Sequence, residues 1–144
     1  MKDRLPYFAR LFVMIWFIIG GLGHFVATDF FVRITPPWVP YPLEVVWVSG
    51  LFELAGAIGM ALPAWRKAAG LGLFMLTIAV SGANVNMSLN PHLFPEFPPV
   101  LLHLRMALQV FLLGCILLGS GWWRPAFLGK ADQPHTSQHS TGPQ

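Results

Sequence analysis

Four apolar runs, each about the length of one membrane crossing, constrain this chain more than any other feature. They occupy residues 8–27, 43–62, 68–89 and 100–119, and roughly twenty residues of helix span a hydrocarbon core. Inside lipid every backbone N–H and C=O needs a partner within the protein. A helix satisfies that need within one segment. An open sheet edge does not, and the runs lack the alternation of a closed barrel. The expected fold is therefore all-α, an integral membrane four-helix bundle over residues 1–120. Composition agrees, at 55% hydrophobic and 10% charged, where a soluble domain carries about a quarter charged residues. The first run resembles a leader peptide in outline. Bulky Phe25 stands where a cleavage site near Ala27 needs a small residue, so the run is read as a retained helix.

The connections set the expected orientation. Lys2, Arg4, Arg10, Arg66, Lys67, Arg124 and Lys130 fall at one end of the runs, and only Arg33 at the other, with Asp29, Glu44 and Glu96. The positive-inside rule then makes both termini cytoplasmic and places the Pro-rich connections 28–42 and 90–99 outside. Pro36, Pro37 and Pro40 cannot continue a helix and favour extended or turn geometry. With Phe30, Phe31 and Trp38 they are expected to form an ordered lid. Residues 121–144 divide into an interfacial anchor, Trp122, Trp123 and Arg124, and a disordered cytoplasmic tail over 129–144, where His135 and His139 read as solvated.

Several function classes find no support in the residues. Cys115 is the single cysteine, so neither a disulfide framework nor a CxxC pair exists within the chain. The net charge of +3 is scattered, and no basic cluster points to nucleic acid. No paired-His helix motif lies in the apolar runs, and Arg105 would repel a cation, so no metal site is expected. No nucleophile motif assigns a catalytic group.

What remains is the polar content of the runs themselves. Glu53 stands in the middle of the second run, where a charged side chain costs roughly 2.5 kcal/mol or more. Ser49, Gly50, Glu53, Gly56, Ala57 and Met60 share its helical face. Thr77, Ser81, Asn84 and Ser88 form a narrow stripe on the third run. The first run ends on Gly20, Gly21, Gly23 and His24, and the fourth carries His103, Arg105 and Gln109. Arg105 and Gln109 share a face, while His103 points away from Arg105. With alternating helix directions, His24, Asn84, Ser88, His103 and Arg105 lie in the outer half. Glu53 and Gln109 lie near the middle, and the inner half is apolar, with Leu73, Phe74, Leu113, Cys115 and Leu117. This pattern predicts a pocket opening outward, roofed by the Pro-rich loops, with Glu53 and Arg105 paired across it. His24, Glu53, Asn84, Arg105 and Gln109 are the candidate ligand-binding residues. Structural alternatives stand beside each: a Glu–Arg link that only joins helices, histidines at headgroup level, and stripes and glycines that serve packing.

Gly23-His24-Phe25, Pro36-Pro37-Trp38-Val39-Pro40, the block from Ser49 to Ala57, Arg66-Lys67-Ala68-Ala69, Ala83-Asn84-Val85-Asn86-Met87 and the block from Leu104 to Gln109 together resemble the DoxX-like family, over about residues 8–120. The resemblance implies a multi-pass protein of the bacterial inner membrane, with His24, Glu53, Asn84 and Arg105 as site positions. The family takes its name from a subunit of a thiosulfate:quinone oxidoreductase. Other members resemble accessory proteins of respiratory, methylamine-utilisation or oxidative-stress pathways. The expected function is binding of a small lipophilic or redox molecule, a quinone being the implied cofactor. The protein would act as membrane subunit or accessory to a membrane or soluble oxidoreductase partner. Two other readings stay open: a non-enzymatic assembly or chaperone factor that docks helices on its small-residue faces, and a transporter coupled through Glu53. Homo-oligomerisation is compatible with all three.

Overall fold

The computed structural model describes residues 4–122. Its elements are α1 (Leu5–Val26), α2 (Thr28–Ile34), α3 (Pro42–Ala61), α4 (Arg66–Leu89) and α5 (Pro99–Ser120), with a short 3-10 turn at Pro91–Leu93. No strand occurs among the described residues. Helices α1, α3, α4 and α5 are long and apolar enough to cross a membrane. They correspond to the four expected runs, with α1 starting earlier, at Leu5, and α4 at Arg66. Trp123, Arg124, Lys2, Lys130 and the expected tail 129–144 lie outside the described residues. Trp122 is described, and its indole N–H donates to the Lys67 carbonyl at 2.9 Å.

Local chemistry explains where the helices start and stop. Prolines at the first turns of α3 and α5 lack an N–H that a helix start leaves unpaired anyway. Gly121, at φ 82°, takes the left-handed conformation that closes α5. The α1–α2 break at Ala27 is held by Thr28, whose hydroxyl donates to the His24 carbonyl at 2.7 Å. Helix α2 ends because Pro36 drives Thr35 to extended geometry, φ −64° and ψ 131°. This corrects the expectation for the first connection. Its front half is a helix, and only residues 35–41 carry the proline-imposed geometry. Tyr41, between Pro40 and Pro42, sits in the left-handed region at φ 52°.

The four long helices form a ring. Helix α1 packs on α3 and α5, and α4 packs on the same two, so α3 and α5 are diagonally opposed. Helix α2 lies over one end, against α1, α3 and α4. The tightest approach joins α1 and α3 through glycine. A Cβ on Gly50 would stand 3.1 Å from the Gly21 carbonyl and 2.7 Å from the His24 Cβ, the close backbone approach that small residues permit.

The interior is layered along the bundle. Val13, Phe17, Ala57, Met60, Leu73, Leu112 and Ile116 form an apolar core toward the α3–α4 turn. Ile34, Met87, Phe94 and Leu102 form a second one beneath α2 and the 90–99 connection. The polar side chains lie between them. Outside, Ile19, Leu51, Phe52, Ile58 and Val110 are exposed. Apolar surface on that scale needs lipid or another apolar phase against it, which suits a multi-pass membrane protein.

Candidate functional site

A cavity of about 1160 Å³ occupies the layer between the two cores. All four long helices line it, and α2 with residues 35–41 covers it. Its rim includes Trp38 and Tyr41 at the loop end and Ile19, Val48 and Phe52 on the flank of the bundle, all exposed. The hollow therefore opens both beneath the loop and sideways, rather than only outward.

The α1–α3 wall carries His24, Ser49 and Glu53. His24 Nδ1 lies 2.8 Å from the Val46 carbonyl. A carbonyl only accepts, so Nδ1 carries the hydrogen and donates. The Ser49 hydroxyl donates to the same carbonyl at 2.9 Å and stands 3.0 Å from Nδ1. The imidazole is also stacked on Phe31, with ring centroids 4.0 Å apart. These contacts fix the ring and turn Nε2 toward Glu53, 3.6 Å from Oε1. That separation is short for opposite charges and too long for a hydrogen bond. Glu53 is only 7% exposed. Among the described residues it accepts no hydrogen bond, whereas no fully enclosed side-chain N or O atom lacks a partner. Its oxygens are thus left facing the cavity. Gly20 gives them room on the α1 side, for a Cβ there would stand 2.8 Å from Oε2.

The α4–α5 wall is a chain of hydrogen bonds with one direction. Arg105 donates from Nε and Nη2 to Asn84 Oδ1, at 3.2 and 2.9 Å. Asn84 Nδ2 donates to Gln109 Oε1. Gln109 Nε2 donates to Ser81 Oγ and to the Thr77 carbonyl, the latter at 3.0 Å. The sequence stripe thus faces α5. Arg105 has five N–H donors, and Asn84 takes two of them. No carboxylate among the described residues pairs with it.

All five expected site residues, His24, Glu53, Asn84, Arg105 and Gln109, line the one cavity. The expected Glu53–Arg105 ion pair does not form; the ion pairs among the described residues are His24–Glu53 and Arg33–Glu96. The diagonal placement of α3 and α5 is the reason, since each residue meets its lateral neighbour instead. His103 points off the cavity, as expected from its angle to Arg105. It is exposed, with Nδ1 2.7 Å from the Pro99 carbonyl one turn earlier. Ser88 leaves the site too, its hydroxyl donating to the Leu102 carbonyl at 3.4 Å. Ser49 and Phe31 are participants that the candidate set omits. Ser49 was signalled by its place one turn before Glu53 on the same face; Phe31 was expected in the lid, but its stacking on His24 had no signal, because its helix was read as loop. Among the described residues no three His, Cys, Asp or Glu side chains converge.

The family described as a domain of unknown function, DUF8561, matches residues 13–117. This chain belongs to that family. The DUF8561 span contains every polar residue of the cavity, and it carries no assigned activity and no link to the DoxX-like family. No curated protein and no solved structure matches the chain.

Proposed function

We propose that this protein binds a small lipophilic molecule with a hydrogen-bonding head group in the cavity between its apolar cores. A quinone is the class we favour, with the protein serving as membrane subunit or accessory of an oxidoreductase system. One observation carries the reading: among the described residues, a buried carboxyl group that accepts no hydrogen bond, with only His24 beside it, and a guanidinium with no carboxylate partner face the same cavity from opposite walls. A bundle stabilised only by internal polar contacts would place these two groups against each other. Held apart, they suit a guest that is polar at two ends.

A quinone ring has a carbonyl oxygen at each end. The remaining Arg105 donors suit one oxygen. At the other, Glu53 in its acid form or a His24 imidazolium donates, and either can pass a proton to an oxygen that gains charge on reduction. Ser49, Val46 and Phe31 hold His24 in place for that role. Asn84 and Gln109 hold Arg105. The cavity volume is somewhat above that of ordinary small-molecule sites, roughly 300–1,000 Å³, and its apolar flank suits an attached tail. The DoxX-like motifs support the oxidoreductase setting by resemblance alone.

In this reading the protein lies in a bacterial inner membrane with both termini cytoplasmic and the cavity toward the outer half. Arg4, Arg10, Arg66 and Lys67 against Arg33 support that orientation. The test is purification in mild detergent, followed by extraction and mass spectrometry of bound lipids. A quinone near one per chain is expected, reduced about tenfold or more by Arg105→Gln, the loss of a charged hydrogen bond. A wild-type protein free of quinone, bound instead to a stoichiometric protein partner, would overturn the reading in favour of an assembly role.

A further inference from the structure

A second hollow runs along the outside of the bundle, in the seam between α3 and α4 toward the short turn that joins them. Its volume is about 730 Å³, and its walls are almost entirely apolar. Gly56 and Gly59 bring α3 against Leu73 and Ala69: a Cβ on Gly56 would stand 2.4 Å from Leu73 Cδ2, and one on Gly59 2.6 Å from the Ala69 Cβ. Gly72 differs. It lines the groove, yet a Cβ there meets nothing within 4 Å. The space above Gly72 is therefore open, and glycine is not needed there for helix contact.

The groove adjoins the cavity. Phe52, Leu76 and Ala79 line both. From Ala79 the groove descends α4 to Ala68, about 16 Å at roughly 1.5 Å per residue, and ends beside Trp65. That distance is about half the hydrocarbon core. The cavity holds the polar side chains, Glu53 and Arg105 among them; the groove beside it is lined almost entirely by apolar side chains.

We propose that the two hollows form one site for a long-tailed amphiphile, with the head group at Glu53 and Arg105 and a linear prenyl-type chain laid down the α3–α4 groove as far as Trp65. The inference rests on the ligand-binding reading above and adds the ligand class, a chain of at least about 16 Å. A tail in the groove leaves one apolar phase for another, so the gain is not hydrophobic transfer but fitted packing against helix backbone. Phe52 stands where head and tail join, and its exposed ring bounds both hollows.

The test uses the full chain in mild detergent and two probes: a p-benzoquinone with a long saturated tail, and the same molecule brominated at the far end. Bromine quenches indole fluorescence at short range. Both probes should bind with equal affinity, and the brominated one should quench more strongly. The extra quenching should vanish in Trp65→Phe, which removes the reporter. It should also fall at least about threefold in Gly72→Leu, whose Cβ meets nothing within 4 Å and whose side chain adds bulk to the groove wall. A tail-less benzoquinone should bind Gly72→Leu as it binds wild type. If both tailed probes bind but bromine adds nothing at Trp65, or Gly72→Leu keeps the whole effect, the tail path is overturned and the head-group site stands. If a tail-brominated phosphatidylcholine quenches Trp65 equally and the tailed quinone cannot compete it away, the groove is a lipid site and the inference fails. If no quinone binds, it falls together with the reading it rests on.

Discussion

A Cβ on Gly20 would stand 2.8 Å from Oε2 of Glu53, so α1 yields space to a carboxyl group carried by α3. The contact is with the far end of a flexible side chain. Gly20→Ala should therefore turn the carboxyl aside rather than separate the helices. Stability should stay within about 1 kcal/mol of wild type, helped by the better helix propensity of alanine. Ligand affinity should fall about tenfold, the loss of one hydrogen bond to a charged group. Thermal melts in detergent, read beside a ligand titration, separate the two effects.

Gly50 and Gly114 should respond in opposite directions. At Gly50 the new methyl meets the His24 Cβ at 2.7 Å and a backbone oxygen at 3.1 Å, and neither can yield unless α1 moves. Gly50→Ala should cost about 1–3 kcal/mol. At Gly114 nothing lies within 4 Å, and Gly114→Ala should gain about 0.5–1 kcal/mol from the stiffer unfolded chain. Melting temperatures of the two variants check the sign of each change.

Two double-mutant cycles distinguish the observed wiring from the ion pair that the sequence suggested. Asn84→Ala with Arg105→Gln should show coupling of about 0.5–3 kcal/mol, as residues in one hydrogen-bond network do. Glu53→Gln with Arg105→Gln should be additive within about 0.5 kcal/mol. Strong coupling in the second cycle would contradict the ring order of the helices.

Arg33 and Glu96 tie α2 to the 90–99 connection. Both side chains are well exposed, at 53% and 38%, so the pair itself should contribute no more than about 1 kcal/mol and weaken with salt. Arg33 also lies over the rings of Phe30 and Phe94, at 5.8 and 6.0 Å. Arg33→Ala should therefore destabilise more than Glu96→Ala, by roughly 0.5–1 kcal/mol. The order of the two variants in high salt tests this, because salt removes the ion pair and leaves the ring contacts.

Reporter fusions address the orientation. A fusion after Lys67 should report cytoplasm, and one within residues 90–99 the outside. The reverse pattern would place the cavity in the cytoplasmic half.

The four spanning helices were legible because length and apolarity alone decide a membrane crossing. Helix α2 was not. Its seven residues have no side-chain cap, and it is helical because the fold buries Ile34 and stacks Phe31 on His24. Those contacts have no trace in the local sequence. The same distinction runs through the site. That His24, Glu53, Asn84, Arg105 and Gln109 belong together could be read from depth and face, since an intramembrane polar group has few places to go. Which of them touch could not. Glu53 and Arg105 are complementary in charge, but partnership depends on which helices are neighbours around the ring. The order α1, α3, α4, α5 separates them. The positions of Ser81 and Thr77 in a stripe were visible; that the stripe would face Gln109, rather than the cavity alone, was not.

The one-way hydrogen-bond chain has an electrical consequence. Asn84 and Gln109 each turn their oxygen toward Arg105 and their nitrogen away from it, so aligned dipoles point their negative ends at the guanidinium. On the facing wall Glu53, near the midpoint of α3, is a group whose charge, like that of His24 beside it, can change by gaining or losing a proton. A proton that reaches it from either face of the membrane traverses part of the transmembrane voltage. At mid-depth that amounts to about 1 kcal/mol per 100 mV, roughly half the full-crossing value. In the proposed setting, the state of the cavity would therefore be coupled to the energisation of the membrane around it.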